Sequence, residues 1–253
     1  MSYGERPIAR QLERGRFNRF LATLLPHDFS MLAPHLRPIA LKRGVILHEV
    51  GEEIAHVYFP HSGMVSRIVV MQSSAAVETA TIGRSGVIGA SAGLGASWTF
   101  ARAIVQLPGA AASISASRFH AAANESQAIR DLLVRYNDLL VARIQQSVAC
   151  NALHTLEARL CRWLLQANDS VDDNVIPLTQ EFLGQMLGVR RTTVTLAAQL
   201  LQSAGLIRYR RGHIQILDRP ALEKLSCECY ATLRGYTDKL FPPSEGASQE
   251  PSL

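Results

Sequence analysis

The chain has 253 residues, of which 47% are hydrophobic and 19% charged, and carries a formal net charge of +5. That length suits two domains, and that balance excludes a wholly disordered or fibrous chain. No apolar run approaches the ~20 residues of a membrane span, so no membrane partner is expected.

Residues 1–16 read as a flexible polar lead-in. Arg6, Arg10, Arg14 and Arg16 are not followed by the apolar stretch of a secretory signal. A cytoplasmic protein with reduced cysteines is therefore expected. Phe17, Phe20, Leu21, Leu24 and Leu25 share one face of a short helix, which Pro26 should end. From Leu36 to Ser115 the texture changes to short apolar runs between glycines. The segments "GVILHEV", "HVYFP", "MVSRIVVM", "AVETATIG" and "ARAIVQL" read as strands of a β-barrel, roll or sandwich.

A long helix follows, roughly Asn124 to Cys150. Leu133, Tyr136, Leu140, Ile144 and Val148 form a stripe at steps of three and four, widened by Leu132 and Leu139. A helix of ~25 residues extends ~38 Å, and a two-stranded coiled coil is the simple way to bury such a stripe. Those five residues are the expected homodimer interface; the alternative is a helix packed on its own barrel. "HTLEARLCRWLLQAN" is another helix and "DSVDDNV" a loop. Residues 242–253 are a polar, flexible tail.

Charge is concentrated near the C-terminus. Between Leu178 and Pro220 six arginines face two acids, which places +4 of the chain's +5 in that segment. Thr179 is a plausible N-cap for a helix over "QEFLGQML", Gly188 supplies a turn, and a second helix runs from Arg191 to Gln202. Its inward face is Val194, Ala197, Ala198 and Leu201, and Gly205 ends it. This is a helix-turn-helix layout, in which the start of the second helix enters the major groove of double-stranded DNA. Arg191, Thr192, Thr195 and Leu196 face outward there, and Arg191 has the fork that binds guanine through two hydrogen bonds. Thr179, Gln180, Arg190 and Thr193 should lie near phosphates, which set register but not sequence. "LIRYRRGHIQIL" reads as a hairpin wing presenting Arg208, Arg210, Arg211 and His213.

In this order the parts resemble the CRP/FNR family of bacterial transcription regulators, from about Phe17 to Tyr230. The strongest segment is "LTQEFLGQMLGVRRTTVTLAAQLLQSAGLIRYRRGHIQILD"; "YFPHSGMVS" and "SCECY" resemble one branch of the family. The resemblance implies an α+β chain: an N-terminal β-roll sensor (double-stranded β-helix or jelly-roll-like, 17–123), a dimerisation helix (124–152) and a C-terminal winged helix-turn-helix (153–232). It also implies a homodimer on a pseudo-palindromic site, controlled from the roll, with RNA polymerase as a partner if the protein activates. Arg191 falls where the family carries its guanine-binding arginine. Thr192 stands where glutamate is common, and Leu196 where arginine is common.

The resemblance also tests the sensor. Where the family's cyclic-nucleotide cassette has Gly-Glu, this chain has Gly89-Ala90. Where it has Arg-Ser or Arg-Thr, the chain has Ala101-Arg102. Without the ribose carboxylate, cyclic AMP is not the expected ligand. No cysteine precedes Cys150, which argues against the iron–sulfur branch. His27, His35, His48, His56, His61 and His120 leave haem open as a ligand of the sensor region. No cofactor and no metal site is assigned, because the Cys227-x-Cys229 pair lacks the four ligands of structural zinc. No catalytic residues are assigned either: "GRSGV" at Gly83–Val87 falls short of the Gly-x-Ser-x-Gly nucleophile motif. The competing reading is a small-molecule or redox sensor whose winged domain docks a protein partner.

Overall fold

The computed structural model describes residues 18–73, 76–171 and 174–242. Of the expected tails, 1–16 and 243–253 lie outside those residues, as does Phe17; only Pro242 of the expected 242–253 tail is described. The architecture is a β-roll, a long helix and a winged helix-turn-helix.

The chain enters at Asn18, whose Oδ1 accepts from the amides of Phe20 and Leu21 and so caps α1 (Arg19–Thr23). Its Nδ2 donates to the carbonyls of Pro60 and Gly86 at 3.0 and 2.7 Å, so this buried amide ties the entry helix to the roll. α1 ends at Thr23, with Leu24 capping it, before Pro26 as expected. Pro26 opens the next one, α2 (Pro26–Leu32), where its missing N–H costs nothing.

Among the described residues, seven strands build the roll: β1 (Arg37–Leu41), β2 (Ile46–His48), β3 (His56–Pro60), β4 (Met64–Val70), β5 (Ala76–Ile82), β6 (Arg102–Leu107) and β7 (Gly109–Ser115). They pair antiparallel in two sheets of order β1-β7-β3 and β2-β6-β4-β5. Leu41, Val65, Ile82, Ile88, Ala103, Val105 and Ala111 fill the space between them. β1 and β7 are absent from the sequence reading because "RPIAL" and "GAAASIS" hold a single β-branched residue each, Ile39 and Ile114, and no aromatic ones. β7 is nonetheless central in its sheet, and its alanines, Ala110, Ala111 and Ala112, are buried.

The helical stretch begins earlier than expected, with α3 (Ala116–Glu125). Ser126 then breaks the chain, and its Oγ caps the long helix α4 (Gln127–Leu153) by accepting from the Ile129 amide. α4 is 27 residues long and spans about 40 Å. Leu133 and Tyr136 are wholly buried against the roll, in a cluster with Phe20, Phe59, Phe119 and Phe241. The Tyr136 hydroxyl donates to the Val87 carbonyl at 2.9 Å. Leu140 is also buried. These three expected interface residues are therefore core of their own protomer. The largest side chains on α4 go to the largest apolar surface available, which is the chain's own roll. Ile144 is half-buried and Val148 exposed, so the outward stripe runs through Val148 and away from Leu133, Tyr136 and Leu140.

That stripe is Val134, Val141 and Val148, at intervals of seven residues and 48, 51 and 66% exposed. Asn137 and Ile144 flank it, both half-buried. The opposite face of α4 is covered by a C-terminal helix, α9 (Cys229–Leu240). The Arg143 guanidinium reaches the Thr81 carbonyl, Ser85 Oγ and Thr237 Oγ1, each at 3.2 Å, and so joins roll, long helix and α9. Burial holds this guanidinium below its usual pKa range. Ser85 sits in a turn, with no strand-to-helix elbow after β5. Beyond α9, Phe241 returns to the cluster around Phe20 and Tyr136.

The winged part comprises α5 (Leu156–Ser170), β8 (Val175–Pro177), α6 (Gln180–Leu187), α7 (Arg191–Ser203), β9 (Ile207–Arg210), β10 (His213–Ile216) and α8 (Arg219–Leu225). Its core joins Trp163, Leu164, Leu183, Met186, Val194, Ala198 and Ile214, and it is continuous with Met64, Ile68 and Leu107 of the roll. No helix among the described residues is long and apolar enough to cross a membrane.

Candidate nucleic-acid interface

Thr179 caps α6: its Oγ1 accepts from the Phe182 amide at 3.3 Å. Gly188 closes that helix in the left-handed conformation, with φ +68°. Gly184 has a different task. A Cβ there would stand 2.9 Å from the Val189 carbonyl oxygen, so only glycine lets the turn fold this closely onto α6. α7 then starts at Arg191, with Arg190 at the cap position offering no side-chain hydrogen bond to the first amides. Val194, Ala197, Ala198 and Leu201 are buried, as the spacing requires. Arg190, Arg191, Thr192, Thr193 and Leu196 are exposed, Thr195 half so.

β9 and β10 pair antiparallel, with Arg210 opposite His213. Arg211 and Gly212 form the two-residue turn, with φ of +48° and +77°. Positive φ at both positions is a type I′ turn, whose twist suits a hairpin. Arg208, Arg210, Arg211 and His213 are all exposed.

These pieces are physically continuous. The Thr195 hydroxyl donates to Gln180 Oε1 at 2.8 Å and to the Arg191 carbonyl at 3.0 Å, locking the start of α7 against the start of α6. The Thr179 methyl lies 3.7 Å from where a Cβ on Gly212 would stand, so the wing tip abuts the α6 cap. The start of α6, the first turn of α7 and the wing tip thus form one surface. Among the described residues, no ion pair involves Arg190, Arg191, Arg208, Arg210 or Arg211. Arg219, the sixth arginine of the segment, differs. It is held by Asn168, Asp169, Glu223 and the Tyr230 hydroxyl at 2.6–3.0 Å and is a structural group.

The sensor positions are packed rather than open. Ala90 and Ala101 are buried. Gly89 lies against the His48 ring, whose Nε2 is 2.8 Å from the His56 carbonyl. Arg102 is held in a two-pronged pair by Glu49: Nε to both carboxylate oxygens at 3.0 Å, and Nη2 to Oε2 at 2.9 Å. The other histidines are scattered. His61 Nδ1 accepts from the Asn18 amide, and His120 Nδ1 meets the Gly93 carbonyl. Cys227 and Cys229 are not isolated: Cys150, from the last turn of α4, and His154, just after it, lie beside them.

The described residues thus form a β-roll joined by a long helix to a winged helix-turn-helix. Residues 158–225 match the Crp-like helix-turn-helix domain. The fold matches FixK2 from Bradyrhizobium japonicum with a TM-score of 0.65 at 16% identity, over 76% of this chain and 98% of that one. A CRP/FNR-family transcriptional regulator from Thermus thermophilus gives 0.60 at 20% identity, over 75% and 98%. The c-di-GMP-responsive global regulator CLP of Xanthomonas campestris gives 0.60 at 13%, over 76% and 99%. No curated protein matches the sequence significantly. Residues 158–225 thus form a Crp-like helix-turn-helix domain, and the chain has the fold of CRP/FNR-family regulators.

Proposed function

We propose that the protein works in the cytoplasm as a homodimer that binds a pseudo-palindromic DNA site. The observation that carries this reading is the continuous surface of Thr179, Gln180, Arg190, Arg191, Thr192, Thr193, Thr195, Arg208, Arg210, Arg211 and His213, whose arginines have no internal carboxylate partners among the described residues. At the start of α7 the first amides lack intrahelical acceptors and can meet phosphate. Arg191 reads guanine, and Leu196, 63% exposed one turn on, offers an apolar contact to a thymine methyl. Thr192 and Leu196 in place of the family's usual residues favour a half-site of different sequence.

Dimerisation runs through Val134, Val141, Ile144 and Val148. β-branched residues at one seam position favour two parallel strands, and two parallel α4 helices would set the recognition helices about one DNA turn apart. Control comes from the roll, which shares a core with the winged domain. The buried Ala90 and the Glu49-bound Arg102 argue against cyclic AMP as its ligand. RNA polymerase is a partner if the protein activates.

A second reading, a protein-docking winged domain, is favoured by the exposed pair Leu196 and Leu200, 63 and 60% exposed on α7. Band-shift titration on genomic fragments over a range of salt separates the two. Binding through several phosphates weakens steeply with salt; no saturable complex at moderate salt would reject the DNA-binding reading.

A further inference from the structure

Three of the four cysteines form their own small buried cluster. Cys150, Cys227 and Cys229 pack together, with Ala158 at their edge and no large apolar side chain among them. Buried cysteine is common in cores; what sets this cluster apart is that three thiols and an imidazole converge on one point. His154 completes the group: one ligand atom from each of the four residues lies within 4.8 Å of every other.

The distances have a chemical meaning. Zinc bonds thiolate sulfur at about 2.3 Å and imidazole nitrogen at about 2.0 Å. In a tetrahedron those lengths separate two sulfurs by about 3.8 Å and sulfur from nitrogen by about 3.5 Å. Cys229 Sγ lies 3.5 Å from His154 Nδ1, and Cys150 Sγ 3.5 Å from Cys227 Sγ. The groups around them are those that orient metal ligands. His154 Nε2 lies 3.0 Å from Glu228 Oε2, the carboxylate–histidine arrangement that aims the other ring nitrogen at a metal. Gln146 Nε2 donates to Cys229 Sγ at 3.0 Å.

Charge fits as well. Uptake of one Zn²⁺ by three thiols and a neutral imidazole releases three protons and leaves a complex of net charge −1. The guanidinia of Arg159 and Arg162 are close enough to interact with the Cys150 charge. Both are largely buried, and the Nε of each has no hydrogen-bond partner among the described residues. The geometry points to a structural Cys₃His zinc site made by Cys150, His154, Cys227 and Cys229. It fastens the segment before α9 to the end of α4, beside the His154–Thr155 link to the winged domain. The site would thereby fix the direction in which that domain leaves the long helix.

The inference stands apart from the DNA-binding reading, and so does its test. The full chain is purified under reducing conditions without added metal, and its metal content and accessible thiols are measured. One zinc per protomer is expected, with only Cys161 outside the complex. Cobalt exchanged for zinc should give the visible bands of a tetrahedral thiolate site. Cys229→Ser and His154→Ala should lower zinc retention at least tenfold, and Cys161→Ser should leave it unchanged. If those ligand variants do not fold, zinc release from the wild-type chain by a thiol-blocking mercurial, in step with modification of three cysteines, decides the matter. A metal-free protein with a Cys150–Cys227 disulfide, iron with sulfide in place of zinc, or zinc retained by the ligand variants would overturn the assignment.

Discussion

The indole Nε1 of Trp163 donates to Glu78 Oε1 across 3.1 Å, joining the winged domain to strand β5 of the roll. Ser66 Oγ donates to the other carboxylate oxygen. Burial pushes the Glu78 carboxyl up from 4.5, so between 4.5 and the raised value the folded chain keeps a proton there that the unfolded chain has lost. Stability from this group is complete below pH 4.5 and is lost as pH rises through the raised value. Glu78→Gln should abolish that slope and leave the protein at least as stable at neutral pH. Trp163→Phe should cost about 1–3 kcal/mol by stranding a buried acceptor. Urea melts of the three proteins across pH check both statements.

His61 has the opposite sign. Burial lowers its pKa from 6.5 to about 4, and its Nδ1 accepts from the Asn18 amide, which requires the neutral ring. Its contribution is present above pH 6.5 and is lost as pH falls toward about 4, an effect of up to about 3 kcal/mol. His61→Asn should flatten the acid limb of the stability curve. A limb of unchanged steepness would show that other groups dominate acid unfolding.

The two faces of α4 should separate in experiment. Val141→Glu with Val148→Glu places charge on the exposed seam and should yield a folded monomer by light scattering. Leu133→Ala empties a fully buried site and should cost about 2–5 kcal/mol while leaving the dimer intact. A dimer that survives both glutamates would move the interface off this seam.

The wing supplies grip rather than sequence. Arg210→Gln together with Arg211→Asn keeps a residue that tolerates the left-handed turn at 211. The pair should weaken binding to all sequences alike and reduce the logarithmic salt slope by about two, one per lost phosphate contact. A changed base preference would make the wing a reader.

Much of this was legible in the chain. The helix-turn-helix could be read nearly to the residue, because Thr179, Gly188, Gly205 and the Arg211–Gly212 turn are local signals whose chemistry dictates backbone geometry. The long helix was legible in extent but not in orientation. A helix with apolar residues on two faces does not say which faces its own domain, and Leu133 and Tyr136 went to the core while the valines went out. β1 and β7 hid because alanine and serine carry no strand signal. The four-residue cysteine and histidine cluster hid for another reason. Cys150 and Cys229 are separated by a whole domain, and only the return of α9 against α4 brings them together.

Two copies of this chain should read DNA through Arg191. Selection of binding sites from random duplexes, done in parallel with wild-type protein and Arg191→Ala, tests it most directly. The wild type should enrich an inverted repeat with half-site centres about 10–10.5 base pairs apart. The variant should lose about 1–3 kcal/mol and relax one base pair in each half-site. Enrichment of no repeat by the wild type, or the same repeat at the same strength by the variant, would contradict the account.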